Sequence, residues 1–323
     1  MKKMLIAICA LAAVGSAWAQ KNEFPNKPIK LITPYAPGGS ADVLARTLAN
    51  YLSVEIKQPV IVENKPGANT MIAAAAVARS PADGYTLLLA SNASMVLNPL
   101  LYKKLAYNPD KELTLLNILA EAPLVLVSNS QTGIKDIESL KAYAKDHSGQ
   151  INYSSIGLGN PLQLTTELIK YRLNVAATHI PFNGSAPALT ALMSNDTQMM
   201  VDVIGTSLPQ IKSGKLLAIA TTGLERSQFL PQTPTVAESG FPGFRASTWF
   251  GISVPTATSP IIKNQLQQII NVVMQKTDFI TTLTKQYLVA QKPQSQAQLD
   301  AFLLSDRKTW HQVIADNHIT LDN

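Results

Sequence analysis

The chain has 323 residues, 27 Lys and Arg against 21 Asp and Glu, a hydrophobic content of 46% and one cysteine, Cys9. That length fits two domains, each large enough for its own core. The basic residues are scattered, Lys103-Lys104 being the longest run beyond the N-terminal segment, with no arginine stripe and no interleaved aromatics. Nucleic acid is therefore not an expected partner.

The N-terminus reads as a secretory signal. Lys2 and Lys3 precede an apolar core from Met4 to Val14, and Ala17-Trp18-Ala19 supplies a small-x-small cleavage pattern. Cleavage is expected after Ala19, without a lipid anchor. The core is too short for a stable membrane span, and no later apolar run reaches the roughly 20 residues that one needs. The mature chain would hold no cysteine, which removes disulfides, thiolate metal sites and cysteine nucleophiles.

Beyond the signal, the strand Ile29–Thr33 empties into Pro34-Tyr35-Ala36-Pro37-Gly38-Gly39-Ser40 and then a helix over Ala41–Leu52. The glycines remove side-chain bulk, Ser40 is a candidate N-cap, and the free N–H groups of the helix start point back at the turn. Such a turn can bind an anion without a cationic side chain, or it can be a bare strand-to-helix connection. Further strands are expected at Val60–Glu63, Thr86–Ala90, Leu124–Ser128, Ile151–Ser154, Met199–Ile204, Leu216–Thr221 and Trp249–Val254. Further helices are expected at Thr70–Arg79, Ile137–Asp146, Leu162–Tyr171, Ala186–Met193, Ile261–Lys276, Phe279–Tyr287 and Gln296–Asp316. The alternation predicts α/β layers with mainly parallel sheets. Crossings between domains are expected near Glu121-Ala122-Pro123 and Ala246–Thr248, which gives two lobes joined by two strands. A cleft between lobes is a favoured place for a small ligand.

Ser154-Ser155-Ile156-Gly157-Leu158-Gly159-Asn160 repeats the strand, glycine loop and helix-start logic. Leu162 occupies the third glycine position of a dinucleotide fingerprint, so no nicotinamide cofactor is expected. Asn183 and Gly184 end another short strand and could face the cleft or simply turn the chain. Asp202 lies within an apolar strand, as either a structural acid or a pocket group. His147, His179, His311 and His318 form no metal-ligand pattern, and no G-x-S-x-G elbow exists. A Ser155–His179–Asp202 triad requires free choice of residues, and His179 reads better as a surface or hydrogen-bonded structural histidine. The chain has turns suited to binding and little suited to bond breaking.

The ordered motifs resemble a known family. They are Pro25–Ile32, Pro34–Asp42, Glu63-Asn64-Lys65-Pro66-Gly67-Ala68-Asn69, Pro81-Ala82-Asp83-Gly84-Tyr85 and Leu230-Pro231-Gln232-Thr233-Pro234-Thr235, the last running on to Phe244. The chain is similar to Bug-type extracytoplasmic receptors, the solute-binding component of tripartite tricarboxylate transporters. The resemblance implies an α/β, two-lobed periplasmic-binding-protein-like fold with the ligand cleft between the lobes. It implies residues 20–122 and 247–323 in lobe I, the latter with a helical tail, and residues 123–246 in lobe II. It also implies a small carboxylate ligand (di- or tricarboxylate, acidic amino acid or aromatic acid), membrane permease partners, a monomer in the periplasm, and no cofactor, metal or catalysis. Carried over by position, the ligand residues are Tyr35, Ala36, Pro37, Gly38, Gly39, Ser40, Ser91, Asn92, Ser155, Gly157, Gly159 and Asn160, with Asp202 at a strand end. Asn183 joins them as a cleft candidate. Asn160 and Gln163 depart from the family's usual Ser and His. An exported serine hydrolase and a ligand sensor for a signalling kinase are the alternative readings.

Overall fold

The computed structural model describes residues 24–316, so the signal segment and its cleavage point lie outside the described residues. Two sheets organise the chain. The first has six strands in the order β11-β4-β10-β3-β1-β2: β1 (Ile29–Thr33), β2 (Val60–Asn64), β3 (Thr86–Ser91), β4 (Leu113–Ala122), β10 (Thr248–Pro255) and β11 (Val289–Ala290). The second has five in the order β7-β6-β8-β5-β9: β5 (Leu124–Asn129), β6 (Asn152–Ser155), β7 (Thr178–Pro181), β8 (Met199–Val203) and β9 (Leu216–Thr221). The chain passes from the first sheet to the second between β4 and β5, and returns between β9 and β10.

Alternation within the strands sends side chains to opposite faces, and both faces are covered. Leu87 and Leu89 of β3 join one apolar cluster while Leu88 and Ala90 join another. In β5, Leu124 and Leu126 point one way and Val125 and Val127 the other. Burial on both faces explains why these strands read as continuous apolar runs. Each fully buried Leu or Val contributes about 1.5–3 kcal/mol relative to exposure.

The expectation of mainly parallel sheets is corrected. β1 pairs in parallel with β2 and β3, and β6 with β7 and β8. β10 is antiparallel to both β3 and β4, β11 to β4, and β5 to both β8 and β9. The two crossing strands, β5 and β10, each enter the middle of the destination sheet against the run of their neighbours.

The longer helices are α1 (Ser40–Ile56), α2 (Met71–Ala78), α3 (Ile137–Asp146), α4 (Pro161–Leu173), α5 (Ser185–Met193), α6 (Ile204–Lys212), α7 (Pro260–Met274), α8 (Thr277–Lys285) and α9 (Gln296–Asp316). The sequence pattern does not predict β4, α6, the two-residue β11 or the short helical turns Ala93–Leu97, Asn98–Leu101 and Pro109–Glu112. β4 is rich in Leu rather than β-branched residues and its pairing with β10 is twice shifted in register. α6 holds Pro209 and follows β8 without a polar break. The C-terminal helices α7 and α9 pack on α1, β4 and the π-helical turn Ala93–Leu97, all first-sheet elements.

Candidate ligand cleft

A narrow cleft lies between the two sheets, with about 60 Å³ reachable by the centre of a water molecule. From the first-sheet side it is lined by Tyr35, Ala36, Pro37, Gly39, Ser40 and Ala41, with Thr248 and Phe250 of β10. The opposite wall comes from Ile156, from Pro161 and Leu162 of α4, from Gly184 to Pro187 at the start of α5, and from Val203. Among the described residues, no Lys, Arg or His lines it.

The first loop is built by an acid that never reaches the cleft. Ser40 is not the N-cap of α1; the helix begins with it, and Gly39 caps with no side-chain hydrogen bond. Instead the buried Asp42 carboxylate turns back and accepts from Gly38 N at 3.1 Å, Arg46 Nε at 3.0 Å and Asn64 Nδ2 at 2.8 Å. Burial would raise the pKa of Asp42, but these donors outweigh it and hold the carboxyl below its usual range. Gly38 is exposed and its amide is spent on Asp42, which leaves the amides of Ser40 and Ala41 without helical partners. Tyr35 meets Phe250 edge to face at 6.0 Å, and its hydroxyl bonds Ser91 Oγ at 2.8 Å. Burial pushes the phenol up to about 12, so it stays protonated.

Four helix N-termini approach the cleft, and they are finished differently. At α4, Asn160 Oδ1 accepts from Leu162 N at 2.9 Å and Gln163 N at 3.1 Å, while Pro161 has no N–H. At α6, the buried Asp202 collects the hydroxyls of Ser185 (2.8 Å), Thr206 (2.5 Å) and Ser207 (2.9 Å). Burial raises the pKa of Asp202 against the pull of those three hydroxyls. The starts of α1, α5 and α6 carry no side-chain cap, although at α6 the Ile204 amide donates to Pro123 O at 2.9 Å. Those of α1 and α5 approach each other across the cleft: a Cβ on Gly184, at φ +121°, would stand 3.4 Å from Ala36 Cβ.

Other contacts bridge the same gap. Tyr102 Oη donates to Leu158 O at 3.2 Å, Tyr287 packs edge to face on Phe229 at 5.5 Å, and Gly205 abuts Ser40, Gln286 and Tyr287.

A scan against family models matches residues 44–319 to the tripartite tricarboxylate transporter family receptor. The chain belongs to this family. The receptor is 36% identical over 284 residues to the protein BugT of Bordetella pertussis, covering 88% of this chain and 86% of that one. Its fold is similar to a Rhodopseudomonas palustris structure described as Rpa4515 with adipate, at a TM-score of 0.88, 27% identity and 92% and 99% coverage of the two chains. It is also similar to MatC (Rpa3494) from Rhodopseudomonas palustris with bound malate, at a TM-score of 0.84, 30% identity and coverage of 90% and 100%. The receptor is thus a solute-binding protein of the periplasmic-binding-protein type and not an enzyme.

Of the residues singled out from sequence, Tyr35, Ala36, Pro37, Gly39 and Ser40 line the receptor's cleft, and Gly38 does not. Ser91 is buried behind Tyr35. Asn92 is buried too, donating to Ser247 O at 3.1 Å and accepting from Thr248 Oγ1 at 2.8 Å, which ties the first loop region to β10. In the second loop only Ile156 lines the cleft; Ser155, Gly157, Gly159 and Asn160 stand behind it and shape it. Ser155 Oγ meets His179 Nε2 at 2.6 Å, and His179 stacks on Tyr153 at 4.8 Å. Asp202, occupied by three hydroxyls at the start of α6, is no partner of that pair, so the three do not assemble into a hydrolytic triad. Gly159 N donates to Gln163 Oε1, and Asn160 Nδ2 to Gly157 O. Asn183 is exposed and outside the lining, whereas its neighbours Gly184 and Ser185 are within it. Phe250, Thr248, Leu162 and Val203 were missed; the crossing strand Trp249–Val254 was the one available signal for Phe250.

Proposed function

We propose that the receptor captures a small organic carboxylate in the cleft and delivers it to the membrane permease subunits of a tripartite tricarboxylate-type transporter. The carboxylate sits on the uncapped amides of Ser40 and Ala41 and of Ser185 and Ala186, with Tyr35, Ala36, Pro37 and Gly39 forming the rest of the cradle and Gly38 holding the loop from behind through Asp42. Ser91, Asn92, Ser155, Gly157, Gly159, Asn160 and Asp202 fix the loops around it. The convergence of the uncapped starts of α1 and α5, in a cleft that no cationic side chain among the described residues lines, carries this reading. The carboxylates named with two structural relatives support it. We further infer that residues 20–122 with 247–323 form lobe I and 123–246 lobe II, closing on the ligand about the two crossings. The protein acts as a periplasmic monomer after cleavage behind Ala19.

Calorimetry with a panel of mono-, di- and tricarboxylates, acidic amino acids and aromatic acids tests the site. At least one acid should bind, and Gly39→Val should abolish that binding. A Cβ at Gly39 meets nothing within 4 Å and its φ is an ordinary −82°, so the added side chain fills the cleft without straining the fold. Arg46→Ala should leave binding nearly intact, since Arg46 serves Asp42 and Asn64 outside the lining. Normal binding by Gly39→Val with loss in Arg46→Ala would place the anion on the guanidinium and refute the site.

A further inference from the structure

We infer that this cleft selects monocarboxylates with a compact apolar body over di- and tricarboxylates. The inference rests on the carboxylate reading above and concerns the other end of the ligand. The uncapped starts of α1 and α5 approach each other across the cleft: a Cβ on Gly184 would stand 3.4 Å from Ala36 Cβ, and one on Gly205, at the start of α6, 3.5 Å from Ser40 Oγ. One carboxylate is placed between them, gripped from both sides.

Away from it, the wall has nothing for a second charge. The surface is made by Ile156, Pro161, Leu162, Phe250 and the ring of Tyr35. The polar groups that do reach it are already engaged. Thr248 Oγ1 donates to Asn92 Oδ1, and the Tyr35 hydroxyl is held by Ser91. The start of α4 would be the natural second anion cradle, but Asn160 takes two of its amides and Pro161 lacks one. A second carboxylate brought here would lose its water and gain no donor, which is strongly unfavourable. An apolar body instead gains from burial against the Tyr35–Phe250 edge-to-face pair. This departs from the two dicarboxylates named with the structural relatives.

The test is calorimetry on the full mature chain with matched pairs: benzoate against terephthalate, hexanoate against adipate, and malate and citrate alongside. The expected result is a monocarboxylate that binds at least tenfold tighter than its dicarboxylate counterpart in at least one pair. Ile156→Lys, which puts a cation on the apolar wall, should narrow or invert that preference, with folding checked by circular dichroism. Dicarboxylates that bind the wild-type receptor as tightly as their monocarboxylate partners in both pairs overturn the selectivity while leaving the carboxylate site standing. If none of these acids binds, the carboxylate reading fails and the selectivity falls with it.

Discussion

Gly205, the second residue of α6, is where lobe closure can be opposed without touching the ligand. It has no left-handed backbone, so alanine fits its conformation. A Cβ there would stand 2.9 Å from Gln286 O and 3.5 Å from both Ser40 Oγ and Tyr287 Cβ, all on the first-sheet side. The carbonyl cannot retreat easily. Gln286 is tied through Nε2 to Thr47 Oγ1 at 2.7 Å, and Tyr287 already sits at φ 61°. Relief comes from parting the lobes by several tenths of an ångström, and overpacking of this kind costs about 1–3 kcal/mol. The cost falls on the closed form alone, because alanine is the better helix former by up to about 1 kcal/mol when the lobes are apart. A closed-state penalty of about 1–3 kcal/mol weakens apparent affinity roughly 5- to 150-fold. Calorimetry with the best-binding acid, melting without ligand and small-angle scattering with and without it together read the effect. Gly205→Ala should melt at or slightly above the wild-type temperature, bind more weakly within that window and compact less. Wild-type affinity with full compaction, or a lowered melting temperature without ligand, would refute the reasoning.

Two other perturbations address the second loop. Asn160→Ala removes the cap of α4 and should cost about 1 kcal/mol, read as a fall of a few degrees in melting temperature. It should also improve the relative affinity for adipate, because two amides at the cleft are released; an unchanged ratio of hexanoate to adipate binding counts against that role. His179 is held neutral, its pKa pulled down to about 4 chiefly by burial, with Glu167 opposing and Lys170 reinforcing. The unfolded imidazole, with its ordinary value near 6.5, therefore takes up a proton that the folded one refuses. Stability from this group is complete above about pH 6.5, is lost as pH falls through about 4, and levels off below. Solvent screening at the partly exposed ring reduces the loss to about 1–2 kcal/mol. Melting curves across pH 3.5–7.5 should be flatter for His179→Gln, and parallel curves for the two proteins would remove His179 as the source.

The first lobe's half of the site was legible because a local pattern made it. Ile29–Thr33, the Gly-Gly turn and the following helix are contiguous, and Tyr35 to Ser40 were read as one loop from adjacent residues. The other half was not, since it depends on how helix ends are finished. Asn160 and Asp202 drew attention as polar residues, yet Asn160 spends its oxygen on the start of α4, and Asp202 its carboxylate on hydroxyls of α5 and α6. The residues left lining the cleft on this side include apolar ones, Ile156 and Leu162, which look like ordinary core in a sequence. Strand direction was illegible for a similar reason. Whether β5 and β10 run with or against their neighbours depends on which sheet each enters, and nothing within either segment encodes that.

The placement of β10 has a consequence for how the chain assembles. Ala122 at the end of β4 pairs with Thr248 at the start of β10, and everything between them belongs to the second sheet or its helices. The second sheet is one uninterrupted stretch of polypeptide, from β5 to β9, able to collapse on mostly near neighbours. The first sheet lacks its central strand until that whole excursion has been made, leaving β3 and β4 unjoined with their backbone edges open. Closing so long a loop is entropically costly and slow. During that interval the edges of β3 and β4 stay open, and the first sheet is joined only when β10 slots between them, ahead in the chain of β11 and the C-terminal helices.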